Sequence, residues 1–377
     1  MRIAFDGRAI QVERRGPGDY AASLLGALAK NPGGHSITVL LDRSLPVPPD
    51  GIPGGWPAIR TGGLGGLPGW EQVHAPRAAR GFDLLHCPAN GAPLRCSVPV
   101  VLTAHDAIFI RAFRDISVNP YLRQYVGHLY RTRIYPRAAR RAREVISVSL
   151  AAKTEVTALM GVDPGRISVV PEAVPAGFAE CVPADEVEVR RACSIEGRYL
   201  LGMGAYEKRK NVSMMFRVME WLASRAMECP TLVLAGCGNL AASGYPAEVT
   251  ERGIARWVRF LPYVPNPFLK ALFKGAKAFL MPSRREGFGL PPLEAMSCGT
   301  PVIASDIPCH REVTGDAAIL VDPDDEAGWR TAAARVLDDD EAGRELGRKG
   351  IARSAEFSWD RAAALTVKVY EKAAGGR

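Results

Sequence analysis

The 377-residue chain has no run of 18 apolar residues, and its opening, MRIAFDGRAIQ, lacks the apolar core of a secretory leader. No membrane span is expected. Its eight cysteines, at 87, 96, 181, 193, 229, 237, 298 and 309, form no CxxC pair and no Cys/His cluster. That excludes zinc-ribbon and dithiol chemistry and reads as buried, free thiols in a reducing compartment. No RRM, KH or zinc-finger pattern accompanies the net charge of +8, so nucleic acid is not an expected partner. No internal repeat is evident. These absences together predict a cytoplasmic protein.

A 47% hydrophobic content over this length is ample for two domains. Short β-branched runs alternate with helical segments, which predicts parallel sheets in an α/β protein. In the first half, strands are expected at Arg2 to Phe5, Ile37 to Leu41, Asp83 to His86, Val98 to Thr103, Val145 to Val148 and Ile167 to Val170. In the second they are expected at Tyr199 to Met203, Thr231 to Ala235, Val258 to Leu261, Ala278 to Met281, Pro301 to Ala304 and Ala318 to Val321. Two such sets imply two doubly wound domains, whose ligands bind outside the carboxyl ends of the strands. The Gly/Pro-rich stretch Pro46 to Gly69, with Trp56, Leu64, Leu67 and Trp70, reads either as an acceptor- or membrane-touching loop or as a poorly ordered insertion.

Charge is unevenly placed. Residues 1–175 hold 21 Lys/Arg against 13 Asp/Glu, while the remainder holds 27 of each. Much of the excess lies between Arg111 and Arg143, where arginines alternate with Phe, Tyr, Leu and Ile. Such a stretch suits an anionic membrane surface or a lipid-phosphate acceptor, and equally a solvated helix face whose tyrosines are core.

The most informative segment is Glu286 to Asp306, EGFGLPPLEAMSCGTPVIASD. Gly287 and Gly289 let the backbone approach a ligand, Pro291 and Pro292 fit a first helical turn, and Gly299 stops a helix running to Cys298. The amides and dipole of such a helix start can hold a phosphate. Glu286 in the loop and Glu294 in the helix would then accept hydrogen bonds from sugar hydroxyls. A surface loop capping an ordinary core helix has a similar composition, and what argues against it is a resemblance. In this setting the E-x7-E spacing resembles the signature of retaining GT-B glycosyltransferases of family 4.

That resemblance covers most of the chain. It includes Ser147 to Val174 (with Glu172 where Asn or Pro is frequent), Val258 to Ser283, Ile307 to Asp322, and the ending FSWDRAAALTVKVYEKA, which is similar to a terminal helix that returns to the first domain. It implies a GT-B fold of two Rossmann-like domains facing a central cleft. An acceptor domain would span 1–173 plus 357–377, a donor domain 190–356, and a linker 174–189. Lys208, Arg209 and Lys210 follow the first strand of the second domain, where a basic cluster is the natural counter-charge for a leaving diphosphate, or else a solvated turn. Lys210 fits the family's phosphate lysine, with Arg209 beside it, whereas the arginine of many relatives is replaced by Ala205.

Gly16-Pro17-Gly18-Asp19-Tyr20 opens a helix expected at Tyr20 to Lys30. It lacks the third glycine of a dinucleotide fingerprint, and Asp42 is a turn residue, so an NAD site is rejected. The resemblance places Gly16 and Gly18 near the donor and Asp19 and Tyr20 toward the acceptor. The same resemblance gives His105 a role at the reacting sugar, and Asp106 stands beside it as an orienting or acceptor-side group. Asp322-Pro323-Asp324-Asp325 superficially matches a DxD metal motif, but acids before a helix serve as caps, so no metal is expected.

The resemblance thus implies a retaining hexosyltransferase without cofactor. Its donor would be a nucleotide diphosphate sugar, with GDP-mannose favoured over a UDP-sugar, and its acceptor a glycan, lipid-linked or small-molecule hydroxyl. The expected site comprises Glu286, Lys210 and His105 as catalytic groups, with Arg209, Gly287, Phe288, Gly289, Leu290 and Glu294 holding the donor. The competing expectations are another GT-B enzyme, an epimerase or a phosphorylase, and a non-catalytic nucleotide-sugar-binding protein. The basic first half leaves contact with the inner membrane face open.

Overall fold

A computed structural model describes residues 1–12, 16–47, 51–63, 65–110, 122–204, 207–225, 228–238 and 240–375. Leu64, Ala205, Tyr206 and the start of the basic stretch, 111–121, lie outside the described residues. The described chain forms two compact units, one from residues 1–110, 122–176 and 357–375 and the other from 177–356.

The first unit carries a seven-stranded sheet built from β1 (Arg2–Asp6), β2 (Ser36–Asp42), β3 (Ala58–Thr61), β4 (Leu84–Cys87), β5 (Val100–Ala104), β6 (Glu144–Ser147) and β7 (Ile167–Val169). Their order is β3-β2-β1-β4-β5-β6-β7, and every pairing is parallel. β4, β5 and β6 are buried along their whole length, as expected of strands covered on both faces by helices. The terminal helix Trp359–Gly375 packs on this unit. The Trp359 indole N–H donates to Val174 O at 2.8 Å, and the Tyr370 hydroxyl meets His86 Nδ1 at 2.7 Å.

β3 is a correction to the six expected strands. It lies within the Gly/Pro-rich stretch, and none of its four residues is buried, so no hydrophobic alternation marks it. Pairing with β2 makes it a short edge strand. The tryptophans of this stretch are anchors. Trp56 Nε1 donates to Leu25 O at 3.1 Å, and the buried Trp70 donates to Asp6 Oδ1 at 2.9 Å.

The second unit has β8 (Tyr199–Met203), β9 (Thr231–Ala235), β10 (Val258–Phe260), β11 (Ala278–Met281), β12 (Val302–Ser305) and β13 (Ile319–Val321). Their order is β10-β9-β8-β11-β12-β13, again all parallel. The helix Val212–Ser224 lies so close to β8 that a Cβ on Gly202 would come within 2.4 Å of Met215 Sδ. In each unit the direction of winding reverses once, at β1/β4 and at β8/β11, and ligand crevices of doubly wound sheets open at that point.

Among the described residues, no helix is long and apolar enough to cross a membrane. The helix Leu122–Arg141 carries the described part of the basic stretch. Its Tyr130 and Tyr135 turn inward and donate to Glu71 at 2.7 and 3.2 Å, whereas Tyr125, Val126 and Leu129 stay exposed. All eight thiols are free, and four of them are buried.

Candidate functional site

The expected donor residues of the second unit assemble at its switch point. The Lys208–Lys210 turn follows β8, and Glu286 follows β11, the adjacent strand. Asn211 closes the turn in the left-handed region at φ 52°, and its side chain donates to Pro323 O at 2.8 Å. This local fixing turns Arg209 and Lys210 toward Glu286. Lys210 Nζ stands 2.8 Å from Glu286 Oε1, and Arg209 Nη1 stands 2.9 Å from Oε2. Arg209 also pairs with Glu207 and donates to Arg285 O at 3.0 Å.

Burial alone would raise the Glu286 carboxyl. The Lys210 charge, then the Arg209 charge, overcome it and hold the group down at about 2. Glu286 is therefore an anion at any physiological pH, with both oxygens engaged by cations. The glutamate thus carries its own counter-charge.

The glycine turn leads into the helix Leu290–Ser297. Gly289 is its N-cap at φ 111°, a conformation that demands glycine. Pro291 and Pro292 lack N–H groups, so the donors this helix end can offer come from the turn and Leu290. The helix stops one residue earlier than expected, with Cys298 as its C-cap and Gly299 left-handed at φ 75°. Glu294 is half-buried in the helix, and Phe288 is buried against the core.

The expected residues of the first unit follow β1 and β5 in the chain. His105 follows β5 and is fully engaged: Nδ1 lies 2.8 Å from Glu172 Oε1, and Nε2 lies 2.8 Å from Pro88 O. A carbonyl only accepts, so Nε2 carries a proton, and the Glu172 contact matches a second one at Nδ1. Burial opposes the charge, but the Glu172 carboxylate outweighs it and raises the His105 pKa. An imidazolium with both N–H groups donating has no lone pair for proton abstraction. The carboxylate partner is Glu172, not Asp106 as expected; Asp106 Oδ1 accepts from Ile108 N at 3.2 Å. Nothing local in the sequence signals a partner 67 residues away.

Gly16 is the N-cap of a helix that begins at Pro17, earlier than the expected Tyr20, because proline suits a first helical turn. Gly18 is buried in that turn, and Asp19 is the acid of its first turn. Tyr20 is a core residue and not an open acceptor contact. Its hydroxyl lies 3.3 Å from Thr103 Oγ1, and its ring meets His105 edge-on at 4.7 Å between centroids. Two carboxyls that sequence reasoning missed lie nearby. Burial lifts Asp6 to about 6 and Glu71 to about 7.

The acids of the DxD-like segment serve as turn and cap groups. Asp322 Oδ1 accepts from Asp324 N at 2.8 Å, Asp325 Oδ1 caps the helix Glu326–Asp338 through Gly328 N at 3.0 Å, and Asp324 pairs with Arg284.

Two doubly wound parallel sheets, the second with a paired glutamate and a glycine turn at its switch point, define the GT-B class. Residues 14–177 match the model described as Glycosyltransferase Family 4, and residues 192–353 the one described as Glycosyl transferases group 1. The chain belongs to this glycosyltransferase family. It is 30% identical over 317 residues to the MMP alpha-(1->4)-mannosyltransferase of Mycolicibacterium hassiacum, covering 82% of this chain and 72% of the relative. It is 32% identical over 240 residues to the O-antigen chain mannosyltransferase B of Escherichia coli, covering 61% of each, so the match spans under two thirds of that relative. The crystal structure of Anabaena Alr3699/HepE in complex with UDP and glucose shares the fold, with a TM-score of 0.72 at 17% identity, covering 98% of this chain and 99% of that one.

Proposed function

We propose that the protein transfers a hexosyl group from a nucleotide diphosphate sugar to an acceptor hydroxyl with retained anomeric configuration. The donor we favour is GDP-mannose, and the setting is assembly of a cell-surface glycan or glycolipid. The observation that carries this reading is the Glu286 carboxylate held between Lys210 and Arg209 beside the helix start at Gly289. Support for mannose comes from the two mannosyltransferases that the chain is similar to.

In this reading Glu294 holds ribose hydroxyls and Glu286 sugar hydroxyls. The amides of the turn from Gly287 to Leu290, together with Lys210 and Arg209, face the diphosphate. Departure of the diphosphate concentrates negative charge, and cations fixed in advance stabilise that state more than the ground state. No metal or cofactor is part of the proposal. Attack comes from the leaving-group face, and the departing phosphate takes the acceptor proton. His105 contributes charge rather than proton abstraction, Gly16 and Gly18 stand near the donor, and Asp106 and Asp19 serve the acceptor side. The exposed Tyr125, Val126 and Leu129 on an arginine-rich helix support contact with an anionic membrane where the acceptor is lipid-linked.

A thermal-shift panel of GDP, UDP, ADP and dTDP with their sugar conjugates tests the donor. A ligand at 100 times its dissociation constant stabilises by about 2.7 kcal/mol. Selective stabilisation by guanine nucleotides is expected, and no shift from any nucleotide would overturn the reading. Product analysis with and without acceptor separates transfer from epimerisation or phosphorolysis.

A further inference from the structure

His310 follows β12 on the helix Pro308–Thr314 and is fully buried. Its Nδ1 lies 2.9 Å from Ser305 O, a carbonyl, so Nδ1 donates and carries the proton. Nε2 is buried and has no hydrogen-bond partner among the described residues. Burial disfavours the imidazolium and lowers the pKa against the pull of the Glu286 charge, and the neutral ring with its proton on Nδ1 carries its lone pair at Nε2. A buried acceptor without a partner is costly, so its persistence calls for a reason.

The ring's position supplies one. A Cβ at Gly289 would come within 3.2 Å of His310 Cδ2 and 3.8 Å of Nε2, so the bare edge of the ring faces the N-cap of the Leu290–Ser297 helix. Any side chain at 289 would seal that edge. The Glu286 charge also reaches the His310 ring, which puts the His310 helix close to the same turn. The lone pair thus lies beneath the turn that bears Glu286, on the side of the donor site.

A nucleotide sugar offers two kinds of group to this corner. Phosphate oxygens only accept, and a lone pair repels them. Sugar hydroxyls donate. We propose that His310 Nε2 accepts a hydrogen bond from one hydroxyl of the transferred sugar, making His310 a specificity-determining contact next to Glu286. This rests on the function proposed above. Nδ1, fixed by Ser305 O, sets the tautomer, and glycine at 289 leaves no side chain between the turn and the ring.

The test compares GDP-mannose with its monodeoxy analogues on the whole chain and on His310→Asn. Asparagine keeps a donor near Nδ1 for Ser305 O, and its own acceptor, Oδ1, falls short of the Nε2 position. In the wild type, one deoxy analogue is expected to lose about 10- to 100-fold in kcat/KM. His310→Asn is expected to lose a similar factor with GDP-mannose, to bind GDP as the wild type does, and to lose nothing further with that analogue. An unchanged kcat/KM in His310→Asn overturns the proposal, as does a wild-type-sized penalty for every analogue in the variant. A parallel loss of GDP affinity would show a structural role and overturn it too. If His310→Asn does not fold, His310→Gln, which carries an acceptor to the Nε2 position, is expected to retain discrimination, and its failure to do so counts against the contact. Failure of the parent reading is separate, because it appears in the wild type as no transfer from any nucleotide sugar.

Discussion

Lys210 Nζ and Glu286 Oε1 stand 2.8 Å apart, joining the carboxyl ends of β8 and β11 at the point where the second sheet reverses its winding. The pair is nearly buried, with side-chain exposures of 16% and 12%. Removing Glu286 leaves Lys210 without its anion, which costs about 3–5 kcal/mol when burial is complete, whereas removing Lys210 leaves Glu286 still paired with Arg209. Glu286→Gln is expected to lower stability by about 3 kcal/mol, Lys210→Met by less because Arg209 still pairs with Glu286, and the double variant by less than the sum. Turnover in each single variant is expected to fall about 100- to 1,000-fold. Denaturant titration and initial rates check both, and additive stability losses with near-normal rates would remove the pair from the site.

The His105–Glu172 pair makes a prediction of opposite chemistry. The folded-state pKa of His105 is raised, so its contribution is fully present below its unfolded value near 6.5 and is lost as pH rises through the folded value. Stability of the first unit is therefore expected to decline above about pH 6.5. His105→Gln should flatten that limb, and so should Glu172→Gln. Chemical unfolding at pH 6, 7, 8 and 9 measures it. A limb that persists in both variants would assign the effect elsewhere.

Much of this was legible in the sequence, and what escaped did so for physical reasons. Period and β-branching located every strand with a buried face, to within about two residues. β3 escaped because Ala58–Thr61 has no buried position, and its hydrogen bonds to β2 are its evident support. The E-x7-E spacing and the Lys208–Lys210 cluster marked the residues that meet at the second sheet's switch point, since a turn and a helix start are local structures with local signals. The partner of His105 was illegible because Glu172 arrives from the far side of the sheet, beyond β7. Tyr20 was misread for the related reason that a tyrosine at a helix start shows nothing of the core it faces. The tautomer and bare nitrogen of His310 depend on a carbonyl five residues back and a glycine on another helix, and no sequence pattern encodes either.

The two ends of the Leu290–Ser297 helix offer a controlled comparison. Gly289 and Gly299 are both left-handed, at φ 111° and 75°, so alanine is strained at either position. A Cβ at Gly289 would press on His310 Cδ2 at 3.2 Å, and one at Gly299 on Ile351 Cδ1 at 3.2 Å. Gly289→Ala and Gly299→Ala are therefore expected to lose similar stability, about 1–3 kcal/mol each. Their ligand behaviour should part. At Gly289 the methyl sits where the turn meets the donor, so nucleotide affinity should fall at least 10-fold, whereas Gly299→Ala should bind as the wild type does. Calorimetric titration with GDP on both variants, below their melting temperatures, decides it. Equal affinities would show that the glycine is kept at 289 for the shape of the turn alone.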